Sequence, residues 1–218
     1  MKKKKWLGYS IILLIIFVIY TILVLTVDKK GIGPNESMVG FSTLNSFFHK
    51  TIGTNMKFYT LTKYLGLLPM LFVFYYGLYG LLQLIDKKKI SKVDKKIIIL
   101  GCFYIVFVLV YVFFEKCIIN YRPILLEGKL EASYPSSHTM LAICFCGSSI
   151  IMSKYYMKKS MRKSMNILSW SLMGLIVIGR ILSGVHWITD IIGGIIISLF
   201  LLCSLYTALL YTEKQKKE

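Results

Sequence analysis

The chain lacks most of what keeps a folded domain in water. Acidic residues number 10 against 27 basic ones, prolines only 4, and no polar stretch exceeds about 30 of the 218 residues. Hydrophobic residues make up 56% and the mean hydropathy is +0.66. These values exclude an ordinary soluble domain and point to a protein that crosses a membrane several times. Cysteine is sparse as well. Cys102, Cys117, Cys144, Cys146 and Cys203 form no Cys-x-x-Cys pair and no Cys/His cluster of zinc spacing, so they read as small apolar packing residues. Arginine is the sharpest shortage, with 3 against 24 lysines.

What is present is a series of apolar runs divided by basic loops. A net charge of +17 would suggest nucleic acid in a soluble protein. Here the positive residues gather between apolar runs, where they set topology and meet anionic headgroups. No nucleic-acid partner is expected.

The first run, residues 6–27, has no small-residue cleavage site and reads as a retained span rather than a signal peptide. Further spans are expected at 58–85, 97–114, 139–152, 166–183 and 187–211. Pro69 is expected to kink the second, and the fourth is short. The fold class predicted is all-α: a six-span transmembrane helix bundle forming one domain over residues 1–218. The connection 28–57 carries a mildly amphipathic piece, residues 39–48, suited to the membrane surface. His49, just after it, reads as a surface residue. Gly193–Gly194 suits close helix packing in lipid.

Of the 27 basic residues, 18 lie in the N-terminal cap, the loops after Asp86 and around Lys154, and the basic tail after Tyr211. The positive-inside rule then puts both termini in the cytoplasm and the connection 115–137 outside. The expected location is the plasma membrane, with the polar features on the extracytoplasmic side.

Those features form three polar islands. Arg122 and Arg180 sit at the outer ends of apolar runs, although lysine supplies positive charge elsewhere. An arginine in a lysine-rich chain suggests a need for a planar, bidentate donor to phosphate oxygens. Pro135-Ser136-Ser137-His138 opens a new apolar helix, and a helix start offers free N–H groups and a positive dipole end to an anion. His186 and Asp190 are i and i+4, so on a helix they share a face, and a carboxylate beside an imidazole fixes its tautomer. One histidine can attack phosphorus while the other protonates the leaving oxygen. No carboxylate cluster for a metal is visible, and no cofactor is expected.

Arg122-Pro123, Pro135-Ser136-Ser137-His138 and Gly179-Arg180-x5-His186-x3-Asp190 resemble, in that order, the three-part signature of the type-2 phosphatidic acid phosphatase (lipid phosphate phosphatase) superfamily. The family pattern is Lys-x6-Arg-Pro, Pro-Ser-Gly-His and Ser-Arg-x5-His-x3-Asp. The resemblance implies a metal-independent phosphatase acting on a membrane lipid phosphate. It implies His186 as the nucleophile of a phosphohistidine intermediate, Asp190 as its orienting carboxylate and His138 as the general acid. It implies Arg122, Arg180, Ser136 and Ser137 as phosphate-binding groups. The Lys/Ile-rich composition suits a bacterial member. Undecaprenyl diphosphate, phosphatidylglycerol phosphate and phosphatidic acid are the substrates it suggests.

Three departures stand out. Ser137 replaces the usual Gly, and Gly179 replaces the usual Ser. The family lysine position holds Glu115, with Lys116 one residue later as the nearest phosphate-binding stand-in. One residue on a helix is about 100° of rotation. A carboxylate facing the site would repel phosphate. Two alternatives therefore stand beside hydrolysis: a lipid-linked phosphotransferase, and a catalytically impaired lipid-phosphate-binding member. Taken singly, each island also has a plain reading, as a helix cap, an interfacial anchor or a polar pair tying two helices.

Overall fold

The structure, a computed structural model, describes residues 2–213. Eight α-helices run through them: α1 (Lys2–Thr26), α2 (Ser42–Ile52), α3 (Met56–Leu65), α4 (Leu68–Lys87), α5 (Lys95–Lys116), α6 (Ser137–Tyr156), α7 (Lys159–Ser183) and α8 (Ile188–Thr212). A small antiparallel ribbon between α1 and α2 pairs β1 (Lys30–Gly31) with β2 (Met38–Val39). The expected all-α transmembrane bundle is what forms.

Among the described residues, five segments are long and apolar enough to span a membrane: α1, α3 with α4, α5, α7 and α8. The sixth bundle helix, α6, buries 12 of its 20 residues and packs on α4, α5, α7 and α8. A helix surrounded by protein needs no lipid-compatible faces, so it tolerates the buried Ser148, Ser149 and Ser153. Two of these serines bond their own helix, Ser148 to the carbonyl of Phe145 (3.0 Å) and Ser153 to that of Ile150 (2.8 Å).

The outer helices show the opposite pattern. The buried residues of α1 are Ser10, Phe17 and Val24, a narrow stripe at every seventh position. Its isoleucines 11, 12, 15, 19 and 22 are each about half exposed, as a lipid-facing surface requires. Cys144 and Cys146 are buried as expected, whereas Cys102 and Cys117 lie on the exposed apolar surface.

Several boundaries differ from those expected. The second span is two helices: α3 ends at Leu65, and Pro69 sits in the first turn of α4. Proline lacks an N–H and suits a helix start, so it begins a new helix instead of kinking a continuous one. The fourth and fifth spans are longer, because Ser137, Tyr156 and Lys159 all lie within helix. The basic tail expected beyond Tyr211 lies outside the described residues from Lys214 onward.

α1 and α8 run antiparallel. The Trp6 ring packs edge-on against Tyr206, with centroids 4.7 Å apart, and the Tyr20 hydroxyl donates to the carbonyl of Thr189 (3.1 Å). The loops near Asp94 and Tyr156 join at the end of the bundle that holds Lys3 and Glu213, through a 2.7 Å hydrogen bond between Tyr156 and Asp94. The basic loops thus share one end. The polar islands lie at the other.

The connection 27–55 folds over that second end. The Asn45 side chain donates to the carbonyl of Gly40 (2.8 Å) and accepts from the Thr189 backbone (3.3 Å), and the Asn55 N–H donates to the carbonyl of Ser183 (3.0 Å). Gly184 makes this closure possible. Its φ is +62°, and a Cβ there would stand 1.9 Å from the Gly53 carbonyl oxygen. Gly184→Ala should therefore destabilise the protein by at least about 1–3 kcal/mol, from backbone strain alone. Gly174→Ala, in the interior of α7 where a Cβ meets nothing within 4 Å, should keep stability or raise it by up to about 1 kcal/mol. Thermal unfolding in detergent compares the two.

Candidate active site

The connection between α5 and α6 folds back on itself. Leu126 and Lys129 exchange backbone hydrogen bonds across a turn in which Glu127 and Gly128 both have positive φ (51° and 73°), the conformation of a tight hairpin. Tyr121 and Ala132 are bridged, the Arg122 N–H donates to the Glu131 carbonyl (3.1 Å), and the Ser133 N–H donates to that of Asn120 (2.9 Å). Side chains alternate along extended chain, so Asn120 and Arg122 share a face with Glu131 and Ser133. That face meets the start of α8.

Tyr134 anchors the next step. It is 1% exposed, its hydroxyl bonds that of Thr21 (2.7 Å), and Gly193 leaves room for its ring, since a Cβ there would lie 2.5 Å away. Ser136 then stands at the N-terminal boundary of α6 and donates its N–H to the Asp190 carbonyl (3.0 Å). Gly194 lets α8 approach Ser136 and Thr139 closely.

Asp190 is fully buried and both of its carboxylate oxygens accept hydrogen bonds. Oδ1 accepts from Asn120 Nδ2 (3.1 Å); Oδ2 accepts from Ser133 Oγ (2.5 Å) and from the Trp187 N–H (3.0 Å), which caps the helix. His186 lies just before α8. Its Nδ1 is 2.9 Å from Ser133 Oγ and its Nε2 is 3.0 Å from Arg122 Nη1. A guanidinium has no acceptor, so Arg122 donates and Nε2 carries the ring's lone pair. Arg122 also pairs through Nε with Glu131 Oε2 (3.2 Å).

Arg180, near the end of α7, is fully buried, and none of its three guanidinium nitrogens has a hydrogen-bond partner among the described residues. Its guanidinium lies over the Tyr59 ring of α3, 5.1 Å from the centroid. His138, in the first turn of α6, meets the end of α3 at Gly66, and its buried Nδ1 has no partner among the described residues. His186 is pushed well below the ordinary imidazole value, first by burial and then by the positive charge of Arg122 and Arg180.

Arg122, His138, Arg180, His186 and Asp190 thus come together from four separate segments. Ser137 lines a cleft shared by His186, Ser133, Tyr111 and Glu115. The Ser136 hydroxyl accepts from Thr139 (3.1 Å) and packs inward. Lys116 does not line the cleft; α5 stays helical through it, so the offset of one residue presents Glu115 instead. His49 is half-buried rather than on the surface, with its ring 5.5 Å from Trp187 at the back of His186. Sequence reasoning missed Asn120, Ser133 and Tyr59. The available signal was the pair of alternating polar residues, 120/122 and 131/133, either side of Glu127-Gly128. Among the described residues no group of three His, Cys, Asp or Glu side chains is placed to hold a metal.

A comparison with protein families finds the pattern described as the PAP2 superfamily over residues 68–214, which include all three polar islands. The chain belongs to the PAP2 superfamily. The fold of this PAP2 member is similar to that of a transmembrane PAP2-type phosphatidylglycerolphosphate phosphatase from Bacillus subtilis, with a TM-score of 0.62, over 95% of this chain and 98% of that one, at 17% identity. No curated protein matches the chain. Family and membrane-spanning fold together support a membrane lipid phosphatase.

The depressed His186 value carries a sign. The folded state resists protonating this ring while the unfolded chain does not, so the unfolded state binds more protons below the ordinary imidazole value, about 6.5. The contribution to stability is present above that value and is lost as pH falls below it. Melting temperatures in detergent should drop between pH 7.5 and 5.5, and His186→Gln should shrink that drop.

Proposed function

We propose that this PAP2 member releases phosphate from a membrane lipid phosphate or diphosphate, through a phosphohistidine on His186 and without a metal ion. The observation that carries the reading is Arg180: a fully buried guanidinium beside His186, with no hydrogen-bond partner on any nitrogen among the described residues. An unpaired buried charge costs several kcal/mol, and a phosphoryl group offsets it. The free N–H groups at the start of α6 point the same way.

In the proposed cycle, phosphate oxygens take donors from Arg180, from the α6 start and from Arg122. Arg122 caps the His186 Nε2 lone pair, so its guanidinium must turn onto the incoming phosphate before attack. Nε2 then bonds phosphorus as the bond from phosphorus to the lipid oxygen breaks. His138 gives that oxygen a proton. Water next attacks phosphorus, His138 takes its proton, and the bond to Nε2 breaks. The arginines balance the oxygen charge throughout.

The substrate class proposed is a lipid phosphate or diphosphate such as undecaprenyl diphosphate, phosphatidylglycerol phosphate or phosphatidic acid. With the basic loops at the opposite end of the bundle, the proposed orientation puts both termini in the cytoplasm and the site outside. The proposed domain is a single one over the whole chain. One observation favours a second reading, an impaired or retuned member: Glu115 lines the same cleft as His186.

Purified protein with EDTA present should release phosphate from at least one of the three lipids; no release from any would overturn the phosphatase reading. His186→Ala should reduce turnover by at least about 1,000-fold and remove any acid-labile phosphoprotein. Arg122→Lys should cost about 10- to 100-fold, because lysine cannot reproduce the bidentate fork. Glu115→Gln should raise kcat/KM if the carboxylate opposes phosphate; unchanged kinetics would remove the impaired-member reading.

A further inference from the structure

The carboxylate expected to orient His186 does not hydrogen-bond to it. Both oxygens of Asp190 are taken by Asn120, Ser133 and the Trp187 N–H. Between Asp190 and His186 stands the hydroxyl of Ser133, 2.5 Å from Asp190 Oδ2 and 2.9 Å from His186 Nδ1.

The proton positions in this chain follow from both ends. At one end Arg122 can only donate, so His186 Nε2 is unprotonated and the ring proton sits on Nδ1. At the other end an ionised carboxylate can only accept, so the single Ser133 proton goes to Asp190. The Ser133 oxygen is then left to accept from Nδ1–H. The two ends require the same direction, and no other assignment satisfies both.

We propose that Ser133 is the positioning residue through which Asp190 acts on His186: its hydroxyl locks the ring in the Nδ1–H form and keeps the Nε2 lone pair aimed into the site. The hairpin holds Ser133 in place by its backbone bond to Asn120 and by the anchored Tyr134, and the residue is 2% exposed. An imidazole in water prefers its proton on Nε2. In that form Nε2 has no lone pair for phosphorus, and its proton faces a donor of Arg122. When Nε2 bonds phosphorus the ring becomes cationic and keeps Nδ1–H; the Ser133 bridge couples that charge to Asp190 with no proton leaving.

The catalytic consequence rests on the phosphohistidine reading, but the tautomer does not. In the full-length protein in detergent, labelled at histidine with 15N, NMR should find His186 protonated at Nδ1, its signals assigned with His186→Gln. Ser133→Ala should move it towards the Nε2-protonated form. A wild-type ring protonated at Nε2 overturns the proposal whether or not the protein is active. In kinetics, Ser133→Ala and the near-isosteric Ser133→Cys should each lower kcat roughly 10- to 100-fold with little change in KM, and Ser133→Thr should restore most of it. Ser133→Ala/Asp190→Asn should be no slower than the slower single variant. Additive losses, a kcat within twofold of wild type, or a change confined to KM would each overturn the relay.

Discussion

Asp190 is wholly buried at the start of α8, and its carboxylate is held by donors from Asn120, Ser133 and the Trp187 backbone. Its own carbonyl accepts from Ser136 at the start of α6. One residue therefore ties the hairpin, the sixth bundle helix and the last helix to one another. A buried carboxylate short of a donor costs about 1–3 kcal/mol or more. That cost makes the arrangement of the three segments close to all-or-none. The position of His186 follows, since it is bonded to Ser133 on one side and Arg122 on the other.

The two arginines divide the work unequally. Arg122 is balanced by Glu131 and occupied by His186, whereas Arg180 is enclosed by protein with an aromatic face as its neighbour. In the proposed cycle a phosphoryl group relieves the second and displaces the first from His186. Glu115 lines the same cleft as His186, on the last turn of α5. The distribution of apolar residues serves this end of the molecule indirectly. The narrow buried stripe of α1 leaves its remaining faces to lipid, while enclosed α6 can begin with a polar turn and carry serines along its length.

Much of this was legible in advance where the signal is local. Apolar runs announced the spans, lysine loops announced which end they share, and Arg122, His138, Arg180, His186 and Asp190 stood out as ionisable groups in apolar surroundings. From sequence the break before Pro69 reads as a kink, because proline marks a discontinuity without saying which side of it stays helical. Lys116 and Glu115 were separable only once α5 was seen to run regularly through both. His49 carried no sign that the connection 27–55 would fold over Trp187. Ser133 and Asn120 looked like loop residues, since nothing in their neighbours says that the loop pairs with itself.

Residue order is enough to give the class of the protein and the chemistry available to it: a membrane bundle, two histidines, two arginines at the outer ends of spans, and a carboxylate four residues from an imidazole. Hydrophobic runs and one-turn spacings are local properties, readable without knowing what packs on what. The tertiary structure alone decided who bonds to whom. It put a serine between Asp190 and His186, gave Arg122 a carboxylate and Arg180 an aromatic face, and turned Glu115 rather than Lys116 to the cleft. Those outcomes depend on contacts between segments far apart in the chain, whose partners are set by burial and by the need to satisfy every buried polar group.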